Sequence, residues 1–554
     1  MKHTVKYILF AAACAVLSIS SCQKESKITP ADALFRPIVQ SPEYGGQWIE
    51  LNWEKYEGAD YFELVITGKD GLSSTVQTDT TFYRFEGLNY DTSYDIIVRS
   101  VSRSTGLTSR YYIVPTVTTE DFPTKLKSVS AVDNMANITW SGDSYTKLVC
   151  TTYTLDEDGS RIEGQSKEFE VSPDAEQATV EGLTAGSNYI VRAYNGEDYK
   201  GKKLFATANA EVYEGVVEDL RLIDAESAYS YFTQTYVNGI IEANPDQDIT
   251  FILKGGTEYE LATINFAATT GTIRIVTGLS LEGKATFRVS GNFSVASGAS
   301  VGKISMEKVI FTDHPSKVGG ASNFGGTYLF NFNQANSALG TLNLQNCDIR
   351  FKRGVLRSQT TATIDNIVID GCTFDYIGGY GITNADNAAA ATRNIKVSNS
   401  SFSHCEKMFV ATKPTDKTMT FSAENCTFCW VPKGGNYFLD FNGMTVEPVL
   451  KNCIFGPAGH QGTAGDLNAF RGNGSLTVDN CYGTSDISWG MNATTGEPNS
   501  MMDLKSTGAD VAGTFAAAEV SYTDITTVTS LPEMDFTLLS KDLKAEKVGD
   551  PRWY

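Results

Sequence analysis

The residues best suited to chemistry in this sequence are four cations between positions 350 and 357. They are Arg350, Lys352, Arg353 and Arg357. The 554-residue chain around them is acidic, with a formal net charge of −20. Guanidinium and ammonium groups bind carboxylates, and a suitably placed Arg or Lys can also take up a proton. The cluster predicts a site for an anionic ligand, and Lys407 could extend it. The alternative is that these cations are solvated turn residues that complement nearby carboxylates such as Asp348.

A second candidate is a series of four ring-bearing side chains at recurring intervals. They are Phe351, Tyr376, His404 and Trp430. Exposed, such a row would form a platform for sugar rings, whose C–H faces pack on aromatic faces. Their alternation with Cys347 and Ile349 instead points the series into a core, which is the interpretation we favour. Trp489 lies in an irregular segment and is freer to be exposed.

A sixfold repeat between residues 342 and 485 must position these side chains. Its reference positions are Cys347, Cys372, Ser400, Cys426, Cys453 and Cys481, at intervals of 25, 28, 26, 27 and 28 residues. Alternating apolar residues precede each one, and a residue that tolerates the left-handed conformation, Asn or Gly, stands directly before it. An alternating strand resumes after the corner. A period in the twenties with stacked like residues predicts a parallel β-helix.

The third strand of each turn can be aligned from Tyr328, Val355, Tyr380, Met408 and Tyr437. Alternation then predicts one outward column. It consists of Asn331, Ser358, Thr383, Ala411 and Asp440. Arg357 falls in the inward column, where it would need a partner, unless a local shift turns it outward.

Cysteine chemistry is predicted to be structural. Strands stack about 4.8 Å apart, which is wider than a disulfide requires between Cβ atoms, so free buried thiols are expected. Cys426 and Cys429 have the spacing of a redox or zinc pair, but Cys426 already belongs to the repeat. We therefore expect no metal site there.

Residues 1–21 have the pattern of an export signal, a basic start followed by a short apolar run and then Ser-Ser-Cys22. This resembles the lipobox of bacterial lipoproteins. The resemblance implies a lipid anchor on Cys22, a linker over 22–35, and an outer-membrane, surface-exposed location. The Gln-Lys-Glu-Ser stretch after Cys22 partly matches the surface-export signal of Bacteroidetes lipoproteins.

Two similar modules follow, over residues 36–118 and 122–208. Each has an upstream Trp in an alternating strand, and a Gly-Leu pair whose Leu lies six residues before a Tyr. These features resemble fibronectin type III sandwiches, an Ig-like fold. The resemblance makes Tyr94 and Tyr189 tyrosine-corner residues and buries Trp53 and Trp140.

Residues 219–554 form the third predicted domain, with regular turns over about 326–485. Helical spacing from Asp219 to Asn244, followed by a strand and Gly-Gly, resembles the start of right-handed parallel β-helices of the pectate-lyase type, with a capping helix. The terminal residues 549–553 resemble the closing segment of Bacteroidetes β-helix lipoproteins encoded with glycan-uptake systems. The predicted fold is all-β: two sandwiches, then a right-handed parallel β-helix.

These resemblances imply work on a glycan, and we favour binding over cleavage. The ligand contacts would come from Arg350, Tyr376, His404, Lys407, Trp430, Asp440 and Trp489. The alternative is a lyase that cleaves a uronate-containing polysaccharide by β-elimination through Arg353, Arg357 and Lys352. No cofactor or metal is expected, although a lyase of this kind could use Ca²⁺. A structural or adhesive surface protein is a third possibility. The partners would be a polysaccharide, the membrane and an outer-membrane glycan transporter, whereas the acidic chain argues against nucleic acid.

Overall fold

The computed structural model describes residues 33–69, 71–314, 327–385, 387–460, 463–484, 487–498, 504, 506–507, 536–538 and 540–554. The chain divides into two compact units, Met1–Ala208 and Asn209–Tyr554. The predicted export signal and Cys22 lie outside the described residues. Among the described helices, none is long and apolar enough to cross a membrane.

The first unit contains two β-sandwiches, each with a three-stranded and a four-stranded antiparallel sheet. In sheet order, the first sandwich consists of Glu43–Tyr44, Trp48–Asn52 and Phe82–Glu86, packed against Ser73–Thr78, Tyr61–Gly68, Ser93–Val101 and Tyr112–Thr118. The second consists of Gln177–Glu181, Met135–Trp140 and Leu126–Ala131, packed against Arg161–Glu170, Lys147–Leu155, Asn188–Asn195 and Asp198–Ala206. This strand order confirms the predicted fibronectin type III-like fold.

The predicted core markers of both sandwiches are confirmed. Trp53 and Trp140 are 4% and 2% exposed. The Tyr94 hydroxyl accepts a hydrogen bond from the amide of Asn89 at 2.9 Å, and the Tyr189 hydroxyl accepts one from the amide of Thr184 at 2.7 Å. Each tyrosine therefore ties the corner before its strand to the sandwich core.

The second unit is a parallel β-solenoid. One sheet has ten strands: Val216–Asp219, Ile249–Leu253, Thr269–Thr277, Ser300–Glu307, Ala338–Gln345, Thr363–Asp370, Ala391–Ser398, Thr420–Glu424, Val449–Lys451 and Thr477–Asp479. The remaining strands supply the other two sides of each turn: Glu258–Leu261, Ile264–Phe266, Ala285–Val289, Phe293–Val295, Val309–Asp313, Tyr328–Phe332, Asp348–Ser358, Thr373–Ala385, Ser401–Cys405, Phe409–Ala411, Thr427–Cys429, Tyr437–Thr445, Ile454–Phe455, Ala458–His460, Thr463–Asn473, Tyr482–Gly483, Ser488–Trp489 and Ser506–Thr507.

The first corner of each repeat is left-handed, as predicted. Positive φ angles of 49° to 64° occur at Asn346, Gly371, Asn399, Asn425, Asn452 and Asn480. Lys308, with φ 54°, makes the same corner one turn earlier, where sequence comparison missed it. After these corners, Phe374, Phe402, Phe428 and Phe455 stack with centroids 4.8 to 5.0 Å apart. The cysteines of the column, like Cys150, Cys405 and Cys429, are buried thiols that are not joined in disulfides.

Short helices cover the first turn. Instead of one helix over 219–244, the structure has a 3₁₀ turn at Leu220–Leu222 and two helices, Ala225–Tyr229 and Gln234–Ala243. Asn238 donates to the carbonyl of Asn265 and accepts from the amide of Ala267, at 2.9 and 3.1 Å. The cap thus satisfies backbone groups at the open edge, which would otherwise lack partners.

The segment 549–554 crosses successive turns of the solenoid. The amide of Gly549 donates to the carbonyl of Asn452, and the amide of Asp550 donates to Thr427 Oγ1 at 3.0 Å. Ser401 Oγ donates to the Asp550 carboxylate at 2.6 Å, and Arg552 donates to the Cys372 carbonyl at 2.8 Å. This crossing segment therefore links four turns. A helix at Lys541–Ala545 precedes the crossing segment, and a 3₁₀ turn at Pro551–Trp553 lies at its end.

Candidate ligand-binding face

The strand register places Arg357 on the outside of the solenoid. The outward column is Asn331, Arg357, Asn384, Val410, Asp440 and Arg471. The predicted column was therefore wrong at Ser358, Thr383 and Ala411, which are buried. The predicted register was wrong because the corners that precede these strands differ in length. Lys352 aligns with Ile377, but Gly354 aligns with Gly381, so one corner holds two more residues than its neighbour.

Two arginines and two tyrosines meet beside this column, and we call them the Arg–Tyr cluster: Tyr328, Arg353, Arg357 and Tyr380. The Arg353 guanidinium carbon lies 4.3 Å from the centre of the Tyr380 ring, and that of Arg357 lies 5.0 Å from the same ring. Arg357 also lies 5.3 Å from the Tyr328 ring. The two rings pack edge to face with centroids 5.2 Å apart. The cluster therefore places two guanidinium groups against aromatic rings at one position beside the column.

Gly354 makes this packing possible. A Cβ at that position would lie 2.9 Å from the Tyr380 Cβ and 3.1 Å from Tyr328 Cδ1. Burial raises the pKa of Tyr328 above its ordinary value, and the nearby Arg357 and Arg353 only partly oppose this effect. Its phenol is therefore a neutral group at physiological pH and a poor general base.

Lys352 does not share this face. Phe351, with φ 57°, breaks the alternation, and Lys352 turns inward with a fully buried side chain. Its Nζ lies 2.5 Å from Asp313 Oδ1. Burial lowers the pKa of Lys352 and raises the pKa of Asp313 to about 6. The three residues predicted for a lyase are thus split between the inside and the outside of the turn.

The four ring-bearing residues form a second left-handed ladder. Phe351, Tyr376, His404 and Trp430 have φ angles of 50° to 57°, and the separations of consecutive ring centres are 5.5, 4.5 and 6.5 Å. Phe351, Tyr376 and His404 are 2% to 3% exposed, whereas Trp430 is partly buried. The three buried rings offer almost no surface to a polymer. Sequence reasoning missed the left-handed conformation, because bulky residues rarely adopt it.

His404 is held within this ladder by polar contacts. Its Nδ1 lies 2.6 Å from Ser403 Oγ and 3.1 Å from Asp375 Oδ1. Both partners are buried. The group is consistent with a fixed imidazole inside the stack and not with an exposed ligand contact.

The other predicted contacts lie at several places on the solenoid. Arg350 is partly exposed and aligns with Asp375 of the next turn. Lys407 is partly exposed and lies beside Gly381. A Cβ added at Gly381 would lie 3.0 Å from the Cβ of Lys407. Trp489 is partly buried and packs against the main core.

Asp440 is already paired on the outward column. Arg471 donates to its two carboxylate oxygens at 2.9 and 2.7 Å, and the Arg471 guanidinium lies 4.8 Å from the Tyr437 ring centre. Sequence reasoning missed Arg471 and the roles of Tyr328 and Tyr380. The sequence signal for the tyrosines was their position at the start of third strands, but the wrong register concealed their side. Across the described ranges, no group of three or more His, Cys, Asp or Glu residues is placed to hold a metal ion.

Comparisons with known proteins add little to this geometry. No family model matches the chain, and no curated protein matches it. Among solved structures, it is similar to a two-domain fibronectin type III segment of chicken tenascin, at 16% identity over 31% of this chain and 98% of that one, with a TM-score of 0.18. It is also similar to the FN1–FN3 domains of chicken CNTN1, at 13% identity over 32% of this chain and 68% of that one, with a TM-score of 0.15. The fold assignment therefore rests on the strand order and pairing described above.

Proposed function

We propose that this protein binds an acidic polysaccharide on the outer face of its β-solenoid. The observation that carries the proposal is the Arg–Tyr cluster, in which two guanidinium groups lie against the partly exposed Tyr380 ring and Arg357 also lies against the buried Tyr328 ring. Guanidinium groups recognise carboxylates through paired hydrogen bonds, and tyrosine rings pack against the C–H faces of sugars. A uronate residue offers both features to the same site.

The charge of the whole chain makes this site selective. A formal charge of −20 repels polyanions at long range, so an acidic glycan gains only from the local cations. We therefore expect binding to depend only weakly on added salt, because salt screens the long-range repulsion as well as the few local attractive contacts.

The same geometry supports binding more than cleavage. β-Elimination requires a base near the sugar carboxylate, but Lys352 faces inward in an ion pair with Asp313. Tyr328, the nearest phenol, has a raised pKa and favours its neutral form. Arg353 and Arg357 then act as ligand contacts. No cofactor is needed for this function.

The cellular setting belongs to the proposal as well. The apolar stretch before Cys22 supports export and lipid anchoring, since several buried acyl chains hold a protein firmly on a membrane. In this setting the first unit is a spacer and the solenoid is presented at the outer-membrane surface. An outer-membrane glycan transporter is then the natural recipient of the bound polymer.

Affinity electrophoresis in native gels tests this function. Gels contain polygalacturonate, alginate or chondroitin sulfate, and the wild-type protein is compared with Arg353→Ala, Arg357→Ala and the double variant. We expect retarded migration in at least one gel, and about 10- to 100-fold weaker binding in each single variant, since a charged hydrogen bond contributes about 1.5–3 kcal/mol.

Arg393→Ala is the matched control. Arg393 lies on Ala391–Ser398 in the other sheet, with a 44% exposed side chain that pairs with Asp365 and Asp416. Its loss should leave retardation unchanged. If no acidic polymer retards the wild type, or if the cluster variants bind as well as Arg393→Ala, binding through this face is wrong. Formation of unsaturated uronate, seen as ultraviolet absorbance and lost in the cluster variants, would instead assign a lyase.

A further inference from the structure

The two sandwiches are joined by specific contacts at a cleft between them. Lys202 of the second sandwich pairs with Asp91 of the first and lies 3.8 Å from Asp121 of the connecting segment. The Tyr199 hydroxyl donates to the Asp121 carboxylate at 2.5 Å. Asp91 and Tyr199 also line the cleft, so these contacts join the two modules at its wall.

Aromatic rings from both modules line this cleft, which has a volume of about 690 Å³. Tyr90 and the linker residue Phe122 pack edge to face at 5.1 Å, and Tyr194 faces Tyr199 at 5.8 Å. All four are only partly buried. A volume of this size lies within the range of small-ligand sites, which often form at domain interfaces.

The polar groups of the cleft are nearly balanced in charge. Its lining includes four carboxylates and three cations. Three of the carboxylates are already paired: Glu163 with Arg192 at 2.5 Å, Asp91 with Lys202, and Glu197 with Lys147 at 3.9 Å. Asp198 and Asn89 are exposed and can accept hydrogen bonds from hydroxyl groups. A site without strong net charge neither attracts a polyanion nor rejects a neutral ligand.

We infer that this cleft binds a short uncharged oligosaccharide. The aromatic rings supply surfaces for sugar C–H faces, and the carboxylate and amide oxygens accept from sugar hydroxyls. This site is separate from the Arg–Tyr cluster in residues and in ligand charge, and it does not rest on the proposed binding of acidic polysaccharides.

Isothermal titration calorimetry on the full chain tests the inference, with cellohexaose, maltohexaose, mannohexaose and xylohexaose as probes. We expect at least one to bind, with an affinity that changes little with salt. Tyr194→Ala and Asp198→Ala should each weaken it about tenfold, equivalent to about 1.4 kcal/mol. Asp198 is exposed, so its variant keeps the fold even if Tyr194→Ala does not.

Phe82→Ala is the matched control, because Phe82 is a 53% exposed aromatic residue of the first sandwich outside the cleft lining. It should bind like the wild type. The inference is refuted if none of the four hexasaccharides binds, or if binding survives in both cleft variants. It is also refuted if binding is lost in Arg353→Ala/Arg357→Ala, which would assign the ligand to the solenoid face. Failure of acidic polymers to bind leaves this result unaffected.

Discussion

Replacing Asp550 by Ala should destabilise the solenoid through the crossing segment 549–554. The Asp550 side chain is fully buried and accepts from Ser401 Oγ at 2.6 Å. It also accepts from the backbone amide and the side chain of Arg552, with the amide and Nε both at 3.0 Å. The substitution removes these bonds and leaves the Arg552 cation without its carboxylate.

The size of the effect follows from these contacts. Breaking a buried ion pair from one side costs about 3–5 kcal/mol, and the Arg552 side chain is 35% exposed, so water moderates the loss toward about 3 kcal/mol. The solenoid unit spans residues 209–554. At about 2.1 cal/mol/K per residue, its unfolding entropy is roughly 0.7 kcal/mol/K, so the expected fall in Tm is about 4 °C.

Differential scanning calorimetry measures this shift. Asp550→Asn keeps the shape of the side chain and one hydrogen-bond acceptor, so its Tm should fall by about half as much as that of Asp550→Ala. Asp479→Ala is the control, since Asp479 is exposed on a strand of the last repeat. A Tm for Asp550→Ala within 1 °C of that control would refute the reasoning.

Three further predictions concern buried charge and the Arg–Tyr cluster. Lys352→Met should lower the free energy of unfolding by about 3–5 kcal/mol, because it leaves Asp313 buried without its cation. The double variant Lys352→Met/Asp313→Leu should be close to wild type in urea unfolding. Equal losses of stability in the single and double variants would contradict this prediction. Because the folded-state pKa of Asp313 is raised to about 6 from 3.8, its contribution to stability is present below about pH 4 and is lost as the pH rises through about 6. Between about pH 4 and pH 6, the wild-type free energy of unfolding should therefore fall relative to that of Asp313→Asn, by at most about 3 kcal/mol. A difference between the two proteins that stays constant with pH in urea titrations would argue against this prediction. Gly354→Ala should displace Tyr380 and weaken retardation by acidic polymers about tenfold, with less than about 2 kcal/mol of lost stability. Gly379→Ala is its control and should leave retardation unchanged, because a Cβ there would lie no closer than 3.5 Å to its nearest neighbour, Glu406.

Features that local chemistry determines could be predicted from the sequence. Asn346 and its equivalents mark corners because few residues tolerate the left-handed conformation, and Phe374 and Phe402 stack because identical side chains fall in register. The tyrosine corners of Tyr94 and Tyr189 were readable for the same reason, since one hydroxyl serves one nearby amide.

Features that depend on corner length could not be predicted in the same way. Nothing in the residues between Phe351 and Gly354 shows that the next corner holds two more residues, so the third-strand register slipped. The positive φ of Phe351 then turned Lys352 inward, against simple alternation. The candidate face could be located from its cations, but its two tyrosines required the pairing of adjacent turns.

At the unequal corner beside Gly354, the residues that would contact a ligand are different from those that pair adjacent turns. The backbone rejoins the common register at Gly354 and Gly381 whatever lies between them and the preceding strand. Residues can therefore be inserted or exchanged at this corner while the neighbouring turns keep their hydrogen bonds. Grafting the corner of one such solenoid onto another should transfer its choice of ligand without redesign of the core, which makes this position a natural site for diversification.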